Sequence, residues 1–396
     1  MAKPKSAKAV KPRADFPLFP HQAGYWCKKV RGKLHYFGKV ANDPKGQAAL
    51  NKWLEQRDDL LAGRVPRVKV EGLTVRDLCN RFLSAKRDLL DADEINPRTF
   101  ADLHGTCKRL GKAFGWDRPV SDLVADDFDR LRRASASLWG PHRLSKEIQG
   151  VRSLFNFGFE AGLMQQPVRY GPTFKKPSKK VLRLQRAKRG PRMLEAHELR
   201  QVIDAAPIPL KAMILLGVNA GMGNTDVASL PRRAVDLKRG WIDFPRPKTG
   251  IARRCPLWPE TATAIGEVLA NRPAPSAEEY SGLVFLTPRG NPWRICERAD
   301  REDGDFGLRL NDFIGKKFSC LVKDLEVHRP GVGFYTLRHV FETIAGDSRD
   351  QVAVDAIMGH VRDDMASVYR ERIDDARLLA VVDHVHKWLF GEQETK

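Results

Sequence analysis

The spacing of apolar side chains divides the 396-residue chain into stretches of different period. Near the start, Tyr25-Trp26-Cys27-Lys28-Lys29-Val30 and Leu34-His35-Tyr36-Phe37 are short aromatic-rich runs on either side of Arg31-Gly32-Lys33, which predicts a β-hairpin. A helix is predicted from Lys45 or Gly46 to about Leu61, with Ala49, Leu50, Trp53 and Leu54 facing inward. From Leu73 the apolar positions recur every three or four residues: Val75, Leu78, Phe82 and Leu83, then Leu103, Cys107, Leu110 and Phe114. Two further helices are predicted from Asp122-Leu123 through Leu131 and from Ile148 to Phe159, with Thr74 and Ser121 as N-caps. This helical stretch ends near Gly162. The residues after Met193 read as mixed α and β. Helices are predicted at Glu195–Ala205, Leu210–Ala220 and Thr261–Ala270, and four more after Leu308. Strands are predicted at 241–244 and 253–257, joined by a turn around Lys248-Thr249-Gly250, and a short one at Val284-Phe285-Leu286. The predicted fold class is therefore multidomain: a β-hairpin-plus-helix module (17–65), an all-α domain (72–162) and an α+β domain (193–390).

Between these lie two stretches without periodicity. Residues 1–16 are rich in Lys, Ala and Pro and read as a flexible basic arm. Residues 163–192 hold ten basic residues, among them Lys175, Lys176, Lys179 and Lys180, and no acidic one. A segment of this composition is expected to stay outside any core, as a linker.

Charge then adds a partner. Lys and Arg number 69 against 49 Asp and Glu, a formal net charge of +20, and the linker alone supplies half of it. Such an excess points to a polyanion, nucleic acid or an anionic membrane surface. The membrane option weakens because the longest apolar stretch, Ala212 to Met222, is about half of the ~20 residues a spanning helix needs. The five basic residues before Asp15 have no apolar run behind them, so no secretory signal is expected. Cys27, Cys79, Cys107, Cys255, Cys296 and Cys320 form no CxxC pair, which argues against a zinc site or a disulfide framework and for the cytoplasm. The dense basic linker reads as a strap along a phosphate backbone, with Lys175, Lys176, Lys179 and Lys180 as contacts. Lys28, Lys29, Arg31 and Lys33 cluster on the hairpin, either as nucleic-acid contacts or as a solvated sheet edge.

No P-loop, GxGxxG, HExxH or GxSxG motif occurs, which removes support for nucleotide hydrolysis, dinucleotide redox, zinc proteolysis and α/β-hydrolase chemistry. What remains is an ordered set near the C-terminus: Tyr335-Thr336-Leu337-Arg338-His339, then Met358-Gly359-His360, then Tyr369 nine residues on. Upstream stand Lys248-Thr249-Gly250 with Arg253-Arg254-Cys255-Pro256-Leu257, and the segment from Asn219 through Gly221, Gly223 and Asp226 to Leu230. In this order and spacing the set resembles the tyrosine recombinase (phage integrase) family, with its HxLRH, LGH, nucleophilic Tyr, hairpin Lys and TGxRxxExxxL elements. The resemblance spans the chain. It implies an arm-binding module at 17–65, a helical core-binding domain at 72–162 and a catalytic-type domain at 193–390.

The resemblance further implies a chemistry. Tyr369 is the nucleophile that forms a 3′-phosphotyrosine, Lys248 the acid that protonates the leaving 5′-oxygen, and Arg338 and His360 the donors to the phosphoryl oxygens. Tyr335 stands where the family has His and is a fourth contact; a phenol donates a hydrogen bond but, with its pKa of ~10, carries no proton near neutrality. Double-stranded DNA is the implied partner, a homotetramer the implied assembly, and neither metal nor cofactor is implied. One position departs strongly: the family's first arginine falls on Gly223. The missing donor is either supplied from elsewhere, with Arg232, Arg233 and Asn224 the nearest in sequence, or the protein is a weak or silent DNA-binding relative acting as an architectural factor or repressor. His339 reads as structural. The stripe Leu378, Val381, Val382, Val385, Trp388 and Leu389 reads as a packing face, for its own core or for a neighbouring protomer.

Overall fold

A computed structural model describes residues 11–63, 72–300, 306–360, 369 and 372–391. The chain folds as two compact units, Met1–Asp88 with Gly105–Lys176, and Leu89–His104 with Pro177–Lys396.

In the first unit, β1 (Phe19–Pro20), β2 (Tyr25–Val30) and β3 (Lys33–Lys39) form an antiparallel sheet in that order. The turn is two residues long: Arg31 (φ 51°) and Gly32 (φ 83°) are both left-handed, and Val30 pairs with Lys33. That geometry matches the twist of the flanking strands. Helix α1 (Gln47–Leu61) covers one face, closing a small core of Phe16, Leu18, Trp26, Val30, Phe37, Ala49, Trp53 and Leu60. Phe16, expected in the flexible arm, is thus a core residue; residues 1–10 of that arm lie outside the described residues. Leu54, expected to face inward, is exposed.

The all-α part comprises α2 (Val75–Asp91), α3 (Pro97–Phe114), α4 (Ala125–Leu138) and α5 (Pro141–Glu160). Thr74 caps α2 as expected, its Oγ1 accepting the Asp77 N–H while Asp77 accepts the Thr74 N–H, both at 3.1 Å. Ser121 caps nothing. It sits in a short turn, and α4 begins four residues later, where the Asp127 carboxylate accepts the Val124 N–H at 3.0 Å. Asp127 is buried and also receives Arg118 through two N–H groups at 3.0 and 2.8 Å. These bonds, the Arg118 pair first, lower its pKa to about 2. A carboxyl depressed in this way contributes stability that is complete above its ordinary value of ~3.9 and is lost as pH falls from there through 2, about 2.5 kcal/mol in all. Asp127→Asn should therefore weaken amide-exchange protection of α4 and α5 by that order at neutral pH. The gap from the native chain should close between about pH 4 and 2; a gap independent of pH would refute the assignment.

The expected linker splits in two. Leu163, Met164 and Phe174 are buried, and Tyr170 stacks on Phe174 and meets Phe128 edge-on at 5.0 Å, so residues 163–176 pack onto the helices of the first unit. The apolar residues interspersed among the charges do this, and the expectation of a wholly unpacked segment fails here. In the second unit, residues 179–188 form α6 (Lys179–Lys188), capped by Ser178 and without a buried residue.

The second unit continues with α7 (Ala196–Ala205), α8 (Leu210–Asn219) and the one-turn helix α9 (Asn224–Ala228). A three-stranded sheet follows, β4 (Val235–Asp236), β5 (Trp241–Asp243) and β6 (Arg254–Pro256), then α10 (Pro259–Ala270). The hairpin β7 (Arg294–Asp300) and β8 (Phe306–Asp312) precedes α11 (Phe313–Asp324), α12 (Thr336–Gly346), α13 (Gln351–Met358) and α14 (Asp375–Phe390). Nearly every side chain of α8 is buried, as a helix apolar on all sides requires, and α7, α10, α11, α12 and α14 pack around it. The stripe on α14 is buried in this core with the exception of half-buried Trp388, so it packs within its own chain. Val284-Phe285-Leu286 is buried but is not a strand: isolated bridges form only at Leu286 and at the preceding Leu283.

Candidate active site

Two glycines bring the motifs together. Gly221, just past α8, has φ 59°, and a Cβ there would lie 2.9 Å from Phe341 and 3.2 Å from Met358. Gly359 ends α13 in the left-handed conformation (φ 63°), where a Cβ would lie 2.9 Å from the Cβ of Arg246. Only glycine fits the backbone and the space at both positions. Arg338, buried on α12, ties the two corners: it donates to the Gly221 and Met358 carbonyls, the latter at 2.9 Å, and its Nη2 lies 2.7 Å from His360 Nε2.

An arginine has only donors, so Nε2 of His360 accepts and the ring proton sits on Nδ1. Nδ1 faces Asp355 at 3.4 Å and Glu342 at 3.6 Å. These three side chains place ligand atoms within 4.8 Å of one another and are the one such group among the described residues. The bonds from Arg338 to His360 and from Gln351 to Asp355 make them a hydrogen-bonding shell that orients the imidazole.

The Lys248-Thr249-Gly250 turn is anchored to the same corner. Its backbone closes on the Arg246 carbonyl, which accepts the Thr249 and Gly250 N–H groups at 3.1 and 2.8 Å. Arg246 Nη1 and Thr249 Oγ1 both donate to the Gly359 carbonyl at 3.3 Å. Lys248 itself is exposed.

Two further arginines complete the cluster: Arg246, which no motif contains, and Arg253, which opens the strand segment quoted with the Lys248 turn. Arg246 keeps its Nε buried without a partner. Arg253 is wholly enclosed; its Nε donates to the Phe244 carbonyl at 3.1 Å, its guanidinium lies 5.4 Å from the Phe244 ring centre and 3.6 Å from Asp226, and both terminal nitrogens lack a hydrogen-bond partner. Its neighbour Arg254 points the other way, as alternation along a strand dictates, and pairs with Asp375 and Asp243. Burial lowers the pKa of Arg338, and the positive charges of Arg246 and Arg253 add to that effect against Tyr335 and Asp226. Burial likewise lowers that of Arg253, opposed by Asp226. The arrangement is a partly desolvated cationic corner with N–H groups left over, the electrostatic signature of an anion site.

Gly223 is the N-cap of α9, its N–H held by Asp226 at 2.8 Å. A Cβ at Gly223 would lie 3.0 and 3.1 Å from two ring carbons of Tyr335. The half-exposed Tyr335 ring therefore stands over the place from which an arginine would project, edge-on to His339 at 5.4 Å. His339 has its pKa lowered by burial and then by Arg186, Arg192 and Arg338. None of the three stand-ins nearest in sequence reaches the corner. Arg232 and Arg233 sit in a turn beside Glu279 and Gly282, and Asn224 donates to Asp312 at 3.0 Å.

Tyr369 is helical and exposed, and among the described residues it makes no hydrogen bond to Arg338 or His360; residues 361–368 and 370–371 lie outside the described residues. Lys175, Lys176, Lys179 and Lys180 are all exposed, Lys176 donating to Gln149 at 2.8 Å. On the hairpin, Lys29, Arg31 and Lys33 are exposed, whereas Lys28 turns its ammonium over the Trp53 ring at 5.6 Å. No described helix is long and apolar enough to cross a membrane.

No family model matches the sequence, and no curated protein matches it either. Solved structures do. A lambda integrase dimer bound to a COC′ core site superposes with a TM-score of 0.55 at 14% identity, over 76% of this chain and 99% of the other. A lambda integrase tetramer bound to a Holliday junction gives 0.53 at 15% identity, over 92% and 99%. A Tn1549 transposon integrase in complex with transposon right end DNA gives 0.55 at 15% identity, over 79% and 100%. At these identities the likeness is one of fold: the chain folds as the lambda and Tn1549 integrases do.

Proposed function

We propose that the protein is a site-specific DNA recombinase or integrase that cuts and rejoins duplex DNA through a covalent 3′-phosphotyrosine. The observation that carries this reading is the cationic corner, where Arg338 and His360 are joined by the KTG turn on an integrase fold. The Tyr369 hydroxyl loses its proton to water as its oxygen attacks the scissile phosphorus, the bond to the 5′-oxygen breaks, and Lys248 gives that oxygen its proton. Arg338 meets the charge that grows on the phosphoryl oxygens, with Tyr335 donating from across Gly223. His360 contributes an N–H at Nε2 only once a proton there displaces the donor it now accepts from Arg338. The ester keeps the energy of the broken bond, so a 5′-hydroxyl from another strand reverses the step without a cofactor. The lysines at 175, 176, 179 and 180, with Lys28, Lys29, Arg31 and Lys33, contact DNA phosphates. The protein acts in the cytoplasm as a homotetramer on two DNA sites. Residues 17–65 act as the arm-type module, 72–162 as the core-binding domain and 193–390 as the catalytic domain.

Gly223 favours a second reading, a DNA-binding protein of the same fold with little or no cleavage. A nicked suicide duplex, selected from a random pool by binding to the protein, separates the two. The native chain should leave a covalent adduct that survives denaturation, and Tyr369→Phe should bind equally and leave none, since only one oxygen is lost. Binding without adduct by the native chain favours the silent reading.

A further inference from the structure

We propose that Arg246 supplies the guanidinium missing at Gly223, so that the phosphate site keeps two arginines, the second of them carried by the β5–β6 hairpin. The inference rests on the reading of the corner as a phosphate site.

The geometry singles out Arg246 among the arginines around the Arg338–His360 corner. Its side chain lies against Gly359, its Nη1 touches the carbonyl that immediately precedes His360, and its charge is the one most strongly felt by Arg338. It is half-buried, and its Nε is enclosed with no hydrogen-bond partner in the protein. Arg253 also has terminal nitrogens without a hydrogen-bond partner but is sealed behind Phe244 and Asp226, 3.6 Å from the carboxylate that fixes the Gly223 backbone. That makes Arg253 a positioning residue. Arg232 and Arg233 lie elsewhere. The same arrangement accounts for two departures at once. With the guanidinium delivered from the hairpin, position 223 needs no side chain, and the Tyr335 ring occupies the space that opens. An arginine at 223 would have to push that ring aside and would enter a corner already crowded with positive charge.

The test uses the full chain and the nicked duplex it selects. Arg246→Ala should lower the single-turnover rate of adduct formation by ~10²–10³-fold with little change in DNA affinity, as loss of one preorganised donor does. Arg246→Lys should recover part of that loss, and Arg232→Ala should stay at the native rate. Gly223→Arg should lower the rate of the native chain or leave it unchanged, yet raise that of Arg246→Ala by tenfold or more. An Arg246→Ala rate within threefold of native would overturn the proposal. So would a gain of tenfold or more from Gly223→Arg in the native background, which would mean a site short of a donor. Should the native chain give no adduct, the recombinase reading fails first, and anion binding then decides on Arg246. Stabilisation of the native chain by inorganic phosphate in a thermal melt should fall by half or more in Arg246→Ala and persist in Arg232→Ala. Equal stabilisation of all three would overturn it.

Discussion

Arg338→Met is expected to cut adduct formation by ~10²–10³-fold or more and to destabilise the second unit by about 2–4 kcal/mol. Both effects come from one side chain because Arg338 is at once the proposed phosphate donor and the tie between two chain corners. Removing it strands the Gly221 and Met358 carbonyls in a buried site and frees His360 Nε2 from the donor that now orients it. Relief of repulsion from Arg246 and Arg253 offsets part of the loss. Urea midpoints give the stability change. Adduct assays at a temperature where the variant remains folded give the rate. A variant as stable as the native chain would contradict the tie, and one that cleaves at the native rate would contradict the proposed role.

The second large effect is on DNA affinity and its salt dependence. Lys175, Lys176, Lys179 and Lys180 are exposed and lie in a stretch with no acidic residue. Each phosphate contact contributes about −0.9 to the slope of log K against log salt. Replacing all four by Gln should flatten the slope by up to about 3.6, a loss of roughly a hundredfold in affinity difference between about 50 and 200 mM salt, without altering the preferred sequence. An unchanged slope would show these lysines to be solvated only. A changed sequence preference would show that they read bases.

Much of this molecule was legible before its structure. The helical period around Leu78, Phe82, Leu110 and Phe114 places the all-α part, and those side chains are all buried. The motif residues Arg338 and His360, 22 positions apart, come into contact. Other features were hidden for physical reasons. Arg246 belongs to no motif, and its importance comes from the turn that presses it against Gly359; the only hint was its position two residues before Lys248. Arg253 and Arg254 are indistinguishable by composition, and only strand alternation separates the enclosed guanidinium from the one paired with Asp375. The β7–β8 hairpin gives no strand signal in the sequence because charges such as Arg294, Glu297, Arg298 and Arg309 interrupt its apolar pattern. Charge density masked Leu163, Met164, Tyr170 and Phe174, which suffice to dock residues 163–176.

The central claim is that DNA becomes joined to one particular oxygen. The chain has six tyrosines, and Tyr335 and Tyr369 are both exposed within the set of motifs. The native protein should be incubated with its nicked duplex, digested with protease and nuclease, and the nucleotide-bearing peptide sequenced by mass spectrometry. The account predicts a 3′-linked nucleotide on Tyr369 and on no other residue. A nucleotide on Tyr335 or another side chain, or no modified peptide from a duplex the protein demonstrably binds, would contradict it.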